Sequence, residues 1–168
     1  MHAGLEAPER AERAAFLKER IYLTFAALAV VLTLGSHGHV EPGDAVVTLL
    51  VTVFGTLSAV FTADLISHIV AHGRLMTAAE LRHAAVTTFG ALGAVALPFV
   101  FLGISALGTW PVEHALRAAA AALVASLVAI GWIAVRRIPL SWWQRLVALG
   151  AEAALGLGVI ALQLLAHG

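Results

Sequence analysis

The sequence predicts an all-α integral membrane protein, a bundle of five transmembrane helices with the N-terminus in the cytoplasm and the C-terminus outside. Three observations lead there. The 168 residues are 61% hydrophobic and only 12% charged, with a mean hydropathy of +0.94, whereas soluble domains carry about 25% charged residues. Apolar stretches of bilayer-crossing length, roughly 20 residues, alternate with short segments that hold helix start and stop signals. Finally, Lys and Arg fall in every second connection. The N-terminal segment, the turn with Arg74 and Arg82, and the turn with Arg136, Arg137 and Arg145 are positive, while 36–44, 108–111 and the tail 167–168 carry neither residue. The positive-inside bias then sets the orientation.

Taken in order, residues 1–15 form a charged cytoplasmic or interfacial segment, and 16–168 form a single transmembrane helical domain. Span one is expected at about 16–34 as an uncleaved helix, because the acidic content of the first turns argues against a secretory leader. Lys18 and Arg20 snorkel at its start and Tyr22 sits at the interface. A turn-rich loop, Ser36-His-Gly-His-Val-Glu-Pro-Gly-Asp44, follows, with Asp44 as the expected cap of span two. Span two runs over about 45–71 and stops at Gly73.

Thr77-Ala-Ala-Glu80 has the form of a capping box and opens span three, 78–107, in which Pro98 predicts a kink. Thr109-Trp-Pro111 reads as a capping hydroxyl with proline just inside, opening span four at 112–135. Ser141-Trp-Trp-Gln144 opens span five, 142–166, with Trp142 and Trp143 as an aromatic belt. Gly90, Gly93, Gly103 and the run Ala118 to Ala122 read as close-packing surfaces, and Glu113 and Arg117 as an i, i+4 ion pair.

Chemistry concentrates at two places. At ~100° per residue, Asp64, His68 and His72 share an arc of about 80° on one face of span two. Ionisable groups at membrane depth are costly and read by default as functional. Glu152 lies at a depth similar to that of Asp64, and Gln163 and His167 continue its stripe along span five. Two carboxylates with an imidazole a turn away suit a dehydrated cation or a proton relay. The competing reading is structural, with each carboxylate paired to Arg145, Arg20 or a histidine. Thr48, Thr52 and Thr56 are candidates for lining the other half of span two, although they spiral away from Asp64 by about 80° to 160°.

The second place is the loop His37-x-His39 with Glu41 and Asp44, which His114 and His167 join from other helix ends. Imidazole and carboxylate together suit zinc, another first-row divalent ion, or sensing of mild acid. Of the eight histidines, His2, His68, His72 and His83 fall on the cytoplasmic side and His37, His39, His114 and His167 outside.

Some classes are excluded. The chain has no Cys, which removes disulfides and thiolate sites. Its formal net charge is zero without a dense basic run, so nucleic acid is not an expected partner. Gly-x-Ser-x-Gly, His-Glu-x-x-His and phosphate-loop patterns are missing, so no enzymatic activity is expected. No cofactor is expected apart from a divalent metal such as zinc at the outer loop.

At Glu19-Arg-Ile-Tyr22, at Glu80-Leu-Arg82 with the histidine-bearing helix before it, and at Leu164-Leu-Ala-His167, the chain resembles a family of small polytopic membrane proteins widespread in actinobacteria and without an assigned function. The resemblance implies a five-span or four-plus-one bundle in the bacterial inner membrane and adds nothing about substrate. The functional expectation from the residues is a proton or cation channel or transporter, pH-sensitive through its histidines. The partners expected are membrane lipid, a small ion and further copies of the chain in a homo-oligomer. The alternative is a non-transporting membrane subunit, or a pH or metal sensor, that binds a partner protein.

Overall fold

A computed structural model describes residues 7–37, 39–136, 141–144, 146, 147, 150, 154 and 158. The described chain is helical throughout its elements: α1 (Ala7–Ser36), α2 (Pro42–His72), α3 (Ala78–Gly90), a 3₁₀ turn (Ala91–Val95), α4 (Ala96–Ala106) and α5 (Val112–Arg136). Three of these stretches are long and apolar enough to cross a membrane: Pro42–His72, Ala78–Ala106 and Val112–Ala134. That is compatible with a multi-pass membrane protein. α1 covers the expected first span and extends beyond it at both ends, and it is not among these three.

α1 is the hub. It packs against α2, α3, the 3₁₀ turn and α5, while α4 packs against α2 and α5. Leu23, Ala27 and Val31 recur every four residues on its fully buried face, with Leu28 beside them. α2 answers with Ala45, Leu49, Val53 and Leu57, again every four residues. Beyond Leu57 no α2 residue is buried, and Ile66, Ile69 and Val70 are exposed. Exposed apolar side chains also cover the outer faces of α4 and α5, including Leu97, Val100, Val128 and Trp132. This is the inverse of a soluble protein's surface and suits contact with lipid.

Several boundaries differ from the sequence reading. α2 begins at Pro42 rather than after Asp44, because Pro42 is pre-organised for the first helical position and holds Glu41 extended at φ −68°, ψ 134°. Asp44 therefore sits in the first turn and not at the cap. Gly73 ends the helix in the left-handed conformation, φ 64°, and its N–H donates to the Ile69 carbonyl at 2.8 Å. Thr109 serves the helix before it: its hydroxyl donates to the Ile104 carbonyl at 2.7 Å. The start of α5 is instead marked by the Pro111 carbonyl, which accepts from the N–H groups of His114 and Ala115.

The third span is interrupted one turn earlier than a kink at Pro98 would place it. Pro98 lacks an N–H for the Ala94 carbonyl, and its ring crowds that carbonyl, so the preceding turn winds into the 3₁₀ form over Ala91–Val95. Gly90 makes the close approach to α1, since a Cβ there would stand 2.8 Å from Cε2 of Phe16. Among the described residues Gly103 has nothing within 4 Å of such a position and makes no close packing contact. At Ser141 the start signal is formed: Ser141 N–H donates to Gln144 Oε1 at 3.0 Å and Gln144 N–H to Ser141 Oγ at 3.4 Å. Most of the expected fifth span lies outside the described residues, although each described position from 142 to 158 is helical.

Gly90→Val should lower stability by about 1–3 kcal/mol through overpacking against Phe16, while Gly103→Ala should stay within about 0.5 kcal/mol of the parent. Denaturant unfolding of both variants in detergent tests this, and equal effects would remove the α1–α3 contact as the reason for glycine.

Candidate functional site

The last turns of α2 bring Asp64, His68 and His72 onto one face, as their spacing requires. The two imidazoles stack, with ring centroids 4.3 Å apart and planes 20° from parallel. His72 Nδ1 lies 3.1 Å from the His68 carbonyl oxygen and donates to it. His68 is the more enclosed of the two, its side chain 12% exposed, and Nε2 stands 3.8 Å from Glu80 Oε2. That is too long for a hydrogen bond, so among the described residues Nε2 is a buried polar atom without a hydrogen-bond partner.

Glu80 itself is fully engaged. Arg74 donates to it twice, Nη1 to Oε2 at 2.8 Å and Nη2 to Oε1 at 2.7 Å. The Thr77 backbone N–H donates to Oε2 at 2.7 Å while the Glu80 N–H donates to Thr77 Oγ1 at 3.3 Å. The capping box read from the sequence is therefore formed. The hydrogen-bonded carboxylate raises the Arg74 guanidinium above its ordinary pKa. The turn between α2 and α3 is thus closed by an ion pair and a cap, with His68 against its inner side.

Asp64 is half-buried and makes no hydrogen bond or ion pair among the described residues. Neither Arg20 nor a histidine pairs with it. Its charge is instead felt by Lys18 of α1, which places the two groups on facing helices. Lys18 Nζ is 3.2 Å from Glu19 Oε1, and Glu19 is only 2% exposed. Among the described residues Glu19 Oε2 has no hydrogen-bond partner, nor has the buried Arg20 Nε. The Arg20 guanidinium lies 5.3 Å from the centroid of the Phe16 ring, a cation–π distance.

Spacing alone gave Lys18 a snorkelling role and Glu19 no role in a site. The signal was present. Glu19 precedes Leu23, Ala27 and Val31 by four, eight and twelve positions and so belongs to the buried stripe of α1. Thr88 and Ser105 add further buried hydroxyls without partners on α3 and α4.

The other candidates are placed less closely. Thr48, Thr52 and Thr56 flank the buried stripe of α2, and the Thr52 hydroxyl is bonded back to the Thr48 carbonyl at 2.9 Å. His37, His39, Glu41 and Asp44 line one hollow beside Thr33 and Val40. His37 Nδ1 donates to the Thr33 carbonyl at 2.7 Å. His114 is exposed in the first turn of α5. Among the described residues no three His, Asp or Glu side chains converge as a metal site. Glu113 and Arg117 do not form the expected ion pair; both are exposed, where such a pair has little to gain. Glu152, Gln163 and His167 lie outside the described residues.

Compared with known proteins, the chain matches no family model, no curated protein and no solved structure. The resemblance carried by its three short motifs therefore transfers no functional residue to it.

Thr77→Ala should destabilise the start of α3 by about 1 kcal/mol through loss of the cap. Amide exchange should accelerate over 78–82 and not over α5; uniform exchange would show that the cap does not hold this turn.

Proposed function

We propose that the protein moves protons or small cations across a bacterial inner membrane, as a homo-oligomer of five-span subunits with the N-terminus inside. The observation that carries this reading is Glu19: a carboxylate 2% exposed, with one oxygen engaged by Lys18 and the other without a hydrogen-bond partner among the described residues, in a helix packed at the centre of the bundle. A buried charge without full pairing is strongly unfavourable, and intramembrane ionisable groups mark ion and proton pathways. Asp64 stands across from Lys18 on α2, and one and two turns further along the same face come His68 and His72. These groups define a route from the α2–α3 turn to the middle of α1. His68 and His72 act at its inner mouth, because imidazole is the side chain whose unperturbed charge changes between pH 5 and 8. Glu152 and Gln163 contribute from the fifth span, and Thr48, Thr52 and Thr56 line the outer half only where a second subunit faces them.

Flux into liposomes containing the purified protein, across pH 5 to 8, tests this. Asp64→Asn and Glu19→Gln should each reduce proton or cation flux at least tenfold with unchanged melting in detergent. Parent-like flux in both variants would remove the inner cluster from any pathway.

The shared hollow of His37, His39, Glu41 and Asp44 favours a second reading, a non-transporting subunit or sensor. It expects zinc or mild acid to raise or lower the melting temperature by several degrees in the parent and to leave a His37→Ala/His39→Ala variant unmoved. The same response in both proteins would retire it.

A further inference from the structure

We propose that the hollow between α1 and α5 holds one zwitterionic phospholipid, with its phosphate on Arg117 and its ammonium group on Glu113. The hollow is about 370 Å³ and is walled by Val31 and Leu32 of α1 and by Leu116 and Ala120 of α5. That volume lies in the ~300–1,000 Å³ range of small-molecule sites. From Val112 to Ala120 the helix rises ~12 Å, close to the depth of one leaflet of a ~30 Å hydrocarbon core. Glu113 and Arg117 stand ~1.5 Å and ~7.5 Å along that rise, in the first two turns of α5, and the hollow continues past them between Val31, Leu32 and Ala120, where an acyl chain finds apolar walls.

The charges on α5 select the headgroup. Glu113 and Arg117 stand one turn apart and both line the hollow. Both are exposed, and neither makes an ion pair or hydrogen bond among the described residues. Such spacing ordinarily favours an internal pair. Here a guanidinium and a carboxylate, each open to solvent, border an apolar channel at the helix end. A headgroup with a phosphate and a primary ammonium answers both: the guanidinium binds phosphate through two N–H groups, and the carboxylate accepts from the ammonium. An anionic headgroup satisfies Arg117 but is repelled by Glu113. Inorganic phosphate leaves the apolar walls unused. His37 borders the same mouth with its Nδ1 held by the Thr33 carbonyl. The site is independent of the ion pathway, which lies toward the opposite ends of α1 and α2.

Native mass spectrometry of the full-length protein in mild detergent tests the site, with added phosphatidylethanolamine, phosphatidylglycerol or inorganic phosphate. The parent should retain one phosphatidylethanolamine at least tenfold more readily than phosphatidylglycerol. Arg117→Gln should lose that retention at least tenfold, and Glu113→Gln should hold both lipids equally. Ala120→Phe, which fills the channel and leaves the charges in place, should expel the lipid as well. Melting in detergent checks that each variant is folded. Equal retention of the two lipids by the parent, undiminished retention by folded Arg117→Gln, or binding of inorganic phosphate that displaces the lipid would each overturn the proposal.

Discussion

The structure depends on a single buried face of α1. Every other described element except α4 packs directly on that helix, and the face is narrow: Glu19, Leu23, Ala27 and Val31 in one line with Thr24 and Leu28 alongside. Small and medium side chains dominate it, so neighbouring helices approach closely. In hydrocarbon the apolar faces outside the bundle are no worse placed than those inside, and association rests on packing and polar contacts. That explains the division of α2. Its first half is held by a four-residue stripe against the core, and its second half has no buried residue and is tied down at the turn by Arg74, Glu80 and Thr77.

The interruption of the third span follows from the same constraint. A straight helix from 78 to 106 would need the Ala94 carbonyl to accept from residue 98, which is proline. The backbone responds by tightening over Ala91–Val95, and the tightened turn is where α1 packs against this span. Phe16 approaches at Gly90 and the Arg20 side chain lies near Gly93. A proline in α4 and glycines in α3 and the 3₁₀ turn thus set how near the charged start of α1 comes to its neighbour. The place where the ladder is weakest is also the place where Arg20 reaches into the bundle.

Much of this was legible in the residues. Gly73, the Thr77–Glu80 box and the Ser141–Gln144 pair are local signals whose partners lie within a few positions, and each formed as its chemistry requires. Thr109 and Asp44 show the limit of such signals. A hydroxyl placed between two helices serves either the one before or the one after, and proline at position 42 overruled the aspartate as a start signal. Asp64, His68 and His72 came together because they share one helix face. Glu19 was missed because it stands in a run of charges that reads as a snorkelling interface, whereas its register with Leu23 and Ala27 carries it inward. The Coulombic attraction between Lys18 and Asp64 acts across two helices, and no spacing within one chain segment encodes it.

The last turns of α2 treat charge in two opposite ways. At the α2–α3 turn, Glu80 accepts from Arg74 and Thr77 until no oxygen is left over, and the result is a rigid closure exposed to water. Deeper along it the groups are fewer and, among the described residues, their partners incomplete: Asp64 without a bond, Glu19 with one oxygen not hydrogen-bonded, and His68 with a buried nitrogen 3.8 Å from a carboxylate that is already occupied. Complete pairing gives stability and nothing to exchange. Incomplete pairing in a low-dielectric interior is unfavourable, and it leaves acceptors that a proton or cation can occupy. The chain concentrates that unfavourable arrangement on adjoining turns of α1 and α2, which is the physical ground for reading those turns as the working part of the molecule.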